Sequence, residues 1–218
     1  MKIALLFAFC SLAIGAWGAA AGPTATNAIY VVRPDPRACP SPLCGGYWVA
    51  LANRARTKCS DGLFRPRCYA ALAKDESGQP LRTPPDANGL VRAGLAPQDF
   101  GPLGELGVLY VADVWTHAGD DAASGKFFRL RDTGIRCVRS PCFSFRATRL
   151  NEPVPAVRIS SIDLTSALDI TAKLRDRAYA ALGMRGGLLA AGRIVSTRDG
   201  GRLFRATQVY LKIAPPHA

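Results

Sequence analysis

Residues 30–53 read YVVRPDPRACPSPLCGGYWVALAN, and residues 128–151 read FRLRDTGIRCVRSPCFSFRATRLN. Slid by 98 positions without a gap, Arg33 falls on Arg131, Cys39 on Cys137, Cys44 on Cys142 and Asn53 on Asn151. Tyr30 meets Phe128, Val32 meets Leu130 and Tyr47 meets Phe145. A C-x4-C pair that repeats in register, with apolar residues matched on both sides, reads as an internal duplication. In each copy a short β-branched or aromatic run precedes the cysteines and another follows them, the composition that suits a half-buried pleated surface. Pro34 and Pro36 end the first run, because proline has no N–H to offer a ladder. Each copy is therefore expected to be strand, rigid cysteine loop, strand.

Working outward, a C-x8-C loop closes at Cys59 and Cys68, and residues 69–73 suit a third strand. The stretch 77–103 holds prolines and glycines without a sustained period and reads as a long loop, with one helical turn near 97–100. An apolar strand at 106–115 is expected to form a hairpin with 127–131, and residues 157–162 match 69–73 as the later counterpart. Leu164, Leu168, Thr171, Leu174, Ala178 and Leu182 recur at three and four, which predicts a helix over about 164–182. Asp163 is placed to cap its start and Gly183 to stop it in the left-handed region. A final hairpin joins 188–197 to 202–213 through Asp199-Gly200-Gly201, residues that tolerate the positive φ of a tight turn. It echoes the middle hairpin, with Gly107-Val108-Leu109 set on Gly187-Leu188-Leu189. The expected fold is α+β: strand-rich antiparallel sheets from an internal duplication, with one clear helix. The domain expected is a single unit over 28–213, made of pseudo-repeats at about 28–117 and 126–213.

Residues 1–21 have the layout of a secretory signal peptide: Lys2, an apolar run, then small residues before Pro23. Export to the periplasm or the extracellular space is expected, and an integral membrane protein is not. The chain has seven cysteines. Cys10 leaves with the leader, and six remain. In an oxidising compartment an even count favours disulfides over zinc. The simplest pairing is local, Cys39 with Cys44, Cys59 with Cys68 and Cys137 with Cys142, although links across the two halves are also compatible with the count.

Residues Arg33-Pro34-Asp35-Pro36-Arg37-Ala38-Cys39, continuing through Cys44-Gly45-Gly46-Tyr47 to Asn53, resemble the signature of a bacterial domain-of-unknown-function family found in exported proteins. Gly134-Ile135-Arg136-Cys137, with Pro141-Cys142 and Leu150-Asn151, resembles a second signature of that family. The resemblance implies a secreted domain with paired cysteines and no assigned activity, so it brings no catalytic residues.

Catalytic groups are sparse. The two histidines are His117 and His217. His117 near Asp120 and Asp121 fits a solvated turn better than a metal site, and the nucleophile-elbow, zinc-protease and phosphate-loop motifs are missing. No enzyme, cofactor or metal is expected, and the expected function is that of an exported, disulfide-braced binding or structural module. The alternatives are a protease inhibitor presenting the Cys137–Cys142 loop with Arg139 at its tip, and thirdly a secreted hydrolase.

Charge is the stronger signal. The chain carries 28 Lys+Arg against 16 Asp+Glu, a net +12. Loss of Lys2 with the leader takes this to +11. Residues 28–68 hold seven bases against Asp35 and Asp61, and residues 126–151 hold seven against Asp132 alone, so these two segments account for the whole excess. The candidate anion-binding residues are Arg33, Arg37, Arg131, Arg136, Arg139 and Arg146. They form one basic surface if the two cysteine segments come together, and the expected partner is an anionic envelope polymer, a lipid head group or an extracellular polyanion such as nucleic acid.

Overall fold

A computed structural model describes residues 28–83, 85–118, 123–167 and 172–213. The signal-peptide reading, Asp120, Asp121, Leu168, Thr171 and His217 fall outside the described residues.

In the first half, β1 (Ile29–Pro34) and β2 (Tyr47–Leu51) flank the first cysteine loop. A small separate hairpin, β3 (Thr57–Lys58) with β4 (Phe64–Arg65), precedes β5 (Cys68–Ala70) and β6 (Leu72–Asp75). Two long strands follow, β7 (Leu90–Asp99) and β8 (Glu105–His117). The second half begins with β9 (Lys126–Asp132) and β10 (Phe145–Arg149) around the second cysteine loop, then β11 (Val157–Ile159) and β12 (Ser161–Asp163). Helix α1 (Ala172–Gly183) leads into the hairpin of β13 (Leu188–Ser196) and β14 (Arg202–Lys212). All strands but β3 and β4 join one sheet in the order β11-β10-β9-β13-β14-β8-β7-β1-β2-β5, with β12 beside β14 and β6 beside β8. The fold is the strand-rich, antiparallel α+β class with one helix among the described residues.

The halves repeat each other pairing for pairing. Tyr30 opposes Leu51 in β1–β2, and Phe128 opposes Arg149 in β9–β10, both partners moved by 98. Leu90 opposes Trp115 and Leu189 opposes Tyr210. Each of those ladders is interrupted by a β-bulge at the same place, between Arg92 and Ala93 in one and between Ala191 and Gly192 in the other. The parallel pairs match as well, Ala73–Leu109 with Ile162–Phe204. β8 and β14 join the halves around Thr116–Leu211, flanked by Tyr210–His117 and Lys212–Trp115, a self-complementary register about a pseudo-twofold.

The six central strands, β1-β7-β8-β14-β13-β9, curl into a ring, and its seam is closed by two asparagines. Asn53 Nδ2 donates to the carbonyls of Phe127 (2.7 Å) and Leu150 (3.0 Å), and its Oδ1 accepts from Phe127 N (2.7 Å). Asn151 returns the pattern to the carbonyls of Ile29 (2.7 Å) and Ala52 (2.9 Å) and to Ile29 N (3.0 Å). Inside the ring lies a core drawn from all six strands, including Ile29, Leu90, Trp115, Tyr210, Leu189 and Phe127. Two outer cores back it, one per half, with Val32, Val91 and Leu109 answering to Leu130, Ala190 and Phe204.

Several expectations are corrected. The stretch 77–103 contains β7, ten residues long, and only Gly101–Leu103 forms a helical turn, of 3-10 type. Pro97 is tolerated because β1 pairs β7 only at Leu90–Arg92, so the proline nitrogen faces no partner strand. The strand at 106–115 pairs with β7 rather than with β9, which lies between β10 and β13. The middle and final hairpins that correspond are therefore β7–β8 and β13–β14, not the pair aligned on Gly107 and Gly187. The helix is shorter than expected, since Thr165–Ala167 form a 3-10 turn and α1 starts at Ala172. Asp163 caps the 3-10 turn, its Oδ1 accepting from Thr165 N (3.0 Å). Gly183 ends the helix without a positive φ, and the left-handed glycine is Gly187 (φ 68°), where a Cβ would stand 2.6 Å from Leu130 O.

Candidate functional site

The three disulfides pair locally, Cys39–Cys44, Cys59–Cys68 and Cys137–Cys142. The Cys39–Cys44 loop is braced by Arg37. Its guanidinium meets the Asp35 carboxylate through Nε (3.0 Å) and Nη2 (2.9 Å), bonds Leu43 O (3.0 Å), and lies 5.4 and 5.3 Å from the ring centres of Trp48 and Tyr69. Asp35 has no exposed side-chain surface, and the hydrogen bonds from Arg37 hold its pKa below the ordinary 3.8. At the second loop Arg136 takes the matching part, Nη1 and Nη2 meeting the two oxygens of Asp132 at 3.0 and 2.8 Å. Arg33 donates from Nε to Asn88 Oδ1 (2.8 Å). Arg139 sits within the second disulfide ring, beside a small cavity that Asp199 also lines.

The two cysteine loops do not form one surface. β1 and β9 start together at the asparagine seam, but five antiparallel steps separate them in the sheet, so they run in opposite senses. Each carries its loop away from the seam, to opposite ends of the ring. The +5 and +6 segments are thus parted.

Chemistry collects elsewhere, at one mouth of the ring. Side chains two residues on from the inner core face the same side of their strands, which puts Arg92, Asp113, Arg129 and Lys212 in one polar layer above Trp115 and Tyr210. Asp113 holds two cations, with Arg92 Nε at 2.6 Å and Lys212 Nζ at 2.5 Å. Burial pushes the Asp113 carboxyl upward, yet the hydrogen bonds and charges of Lys212 and Arg92 outweigh it and hold it below 3.8. Among the described residues Arg129 has no such partner: its Nε is buried without a hydrogen bond. Burial first, then the charges of Arg131 and Arg92, lower its proton affinity, although an arginine keeps its charge at neutral pH. Together with Ala181, Met184, Gly186 and Gly187 at the end of α1, these residues enclose a cavity of about 570 Å³.

The opposite mouth provides an internal control. Under the pseudo-twofold, Arg92, Asp113, Arg129 and Lys212 correspond to Ala191, Gln208, Val31 and His117. Three bases and an acid at one mouth face an alanine, a glutamine, a valine and a histidine at the other. A repeated scaffold does not require that difference.

Next to the charged mouth runs a row of arginines. Arg131 on β9 directly opposes Arg146 on β10, which in turn opposes Arg158 on β11, so all three lie on one face. All three are exposed, and none forms a salt bridge among the described residues. A groove of about 240 Å³ between Arg131, Arg146 and Arg149 shares Arg129 with the cavity of the mouth. Of the arginines singled out in the sequence, the structure brings Arg131 and Arg146 together and leaves Arg33, Arg37, Arg136 and Arg139 elsewhere. Arg129 and Arg158 were missed. The spacing Arg129-x-Arg131 on a strand signals a shared face, whereas Arg158 needed the β10–β11 register.

Fold and site together define a disulfide-braced β module of two pseudo-equivalent halves, with a basic face on one of them. The chain belongs to the family described as Domain of unknown function (DUF6748), which matches residues 28–216. No curated protein and no solved structure matches it significantly. Among the described residues, no helix is long and apolar enough to cross a membrane.

Proposed function

We propose that this chain is an exported, non-catalytic binding module that holds an anionic envelope polymer along the row Arg131–Arg146–Arg158. The observation that carries the reading is the row itself. Like charges directly opposed across strands are destabilising by a few tenths to about 1 kcal/mol per pair, and here two such pairs stand in line with no carboxylate among the described residues to relieve them. A repeating anion supplies the missing counter-charge and releases its own counterions on binding. Export is supported by the leader-like segment 1–21 and by the three disulfides. The halves are read as products of a duplication, with the polymer site developed on the second.

Salt elution from heparin and phosphocellulose tests this. Arg131→Gln/Arg146→Gln/Arg158→Gln is expected to elute at lower salt than Lys173→Gln/Arg175→Gln/Arg177→Gln, which removes the same charge from the exposed face of α1. The salt slope of binding should fall by about 2 to 3 in the first variant. Equal elution of the two variants would mean that only net charge matters. Preferential retention on nucleic acid or on anionic vesicles would instead reassign the polymer.

A further inference from the structure

The arginine row runs from β9 onto β10 and β11 at the side of the ring, whereas the 570 Å³ cavity opens into the ring's mouth. We propose that this charged mouth is a separate binding site for a small organic oxyanion, a carboxylate or phosphate carried on an apolar or aromatic body. Arg129 receives the anionic head, and Trp115 and Met184 flank the body.

Charge points to the sign of the ligand. The lining holds Arg92, Arg129 and Lys212 against Asp113 alone, leaving two positive charges. Arg92 and Lys212 are already drawn to the two oxygens of Asp113. Arg129 is the cation whose Nε is buried and unsatisfied, and a buried donor left without a partner is costly unless something completes it. An oxyanion fits, because guanidinium offers paired N–H groups that match carboxylate and phosphate oxygens.

Size and walls point to the rest. A cavity of about 570 Å³ falls in the range, about 300–1,000 Å³, that holds a drug-sized molecule. A bare phosphate would leave most of it empty. Trp115, Tyr210, Ala181 and Met184 give the remainder an aromatic and aliphatic wall. The pseudo-symmetric mouth argues that this is a built feature, since the fold is maintained there by Val31, Ala191 and Gln208 with none of the charge. The Asp113 clamp fixes Arg92 and Lys212, so the positive rim is in place before any ligand arrives.

Isothermal titration of the protein with phenyl phosphate, phenylacetate, inorganic phosphate and neutral benzyl alcohol tests the proposal. The two phenyl anions are expected to saturate one site, inorganic phosphate to bind more weakly, and benzyl alcohol not to bind. Arg129→Gln should weaken phenyl phosphate by roughly tenfold or more. Gly186→Phe should do likewise without altering charge, since a Cβ at Gly186 meets nothing within 4 Å and the residue lines the cavity. This second variant carries the test if Arg129→Gln fails to fold, as judged by its thermal unfolding. Arg158→Gln, in the row but outside the cavity, should bind phenyl phosphate like the parent while eluting earlier from heparin. No saturable binding, equal binding of benzyl alcohol or of inorganic phosphate, or parent-like binding by both Arg129→Gln and Gly186→Phe would overturn the proposal. Loss of phenyl phosphate binding in Arg158→Gln would merge the mouth with the row and overturn it too. Because the column reads the row and the calorimeter reads the mouth, failure of one leaves the other standing.

Discussion

Asn53 and Asn151 are small residues with an unusually large share of the architecture. Both adopt left-handed backbone, φ 64° and 55°, a region that asparagine tolerates better than most residues. Each uses every polar atom of its amide on the other half of the chain. The duplicated segments match them in register, as residue 53 on residue 151, but their bonds cross the seam. No one-dimensional pattern could say so, because the partner backbones are 74 to 122 residues away. Asn53→Gly keeps the left-handed turn and removes the amide. It should lower stability by about 2 kcal/mol, the scale of leaving partly buried backbone groups unpaired. Asn53→Ala should lose about 1 kcal/mol more, because alanine is strained at positive φ. In urea unfolding the pair Asn53→Gly/Asn151→Gly should cost less than the sum of its parts, since both close one seam. Full additivity would show two independent turns.

At the scale of elements, the duplicated sheet is covered by different material on each side. From Tyr47 to its partner Ala70 is 23 residues, but from Phe145 to its partner Ile159 is 14. The extra residues are the Cys59–Cys68 bracket, whose two cysteines belong to the outer core of the first half. In the second half α1 covers the equivalent core with Ala178 and Leu182. Replacing Cys59 and Cys68 together by alanine should cost about 3 kcal/mol or more, from loop entropy plus lost burial, against about 2 for the more exposed Cys137–Cys142 pair. Urea midpoints that reverse this order would show that the bracket does not seal the core. What was legible among the elements follows the same physics. β1, β2, β8 and the β13–β14 hairpin announce themselves by β-branched and aromatic runs or by a tight Asp-Gly-Gly turn. β7 does not, because LVRAGLAPQD carries alanines, Gly94 and Pro97 and takes its strand form from the β8 ladder. Without β7, the neighbouring segment in sequence stood in as the partner of β8. The same gap hid the site. Arg92 lies on β7, and its pairing with Asp113 appears only once that ladder is known.

For the whole molecule, the question is whether the two halves are one cooperative unit. The outer cores belong to separate halves, which alone would allow each to unfold independently. Three features oppose that. The inner core takes Ile29, Leu90 and Trp115 from one half and Phe127, Leu189 and Tyr210 from the other. β8 and β14 share a ladder across the pseudo-twofold. The asparagine clasps close the opposite seam. Opening one half would strip the inner core of the other, exposing large side chains worth about 1.5–3 kcal/mol each when buried, and would break both junctions at once. Lys212 would also leave Asp113, so the charged mouth exists only when both halves are folded. Calorimetry of the oxidised protein should therefore give one transition, with calorimetric and van't Hoff enthalpies in agreement. Asn53→Gly, placed in the first half, should lower that single midpoint as a whole, and amide exchange in β13 should rise together with exchange in β7. Two resolved transitions, or faster exchange confined to the half that carries the substitution, would show that the halves are separate folding units that merely touch.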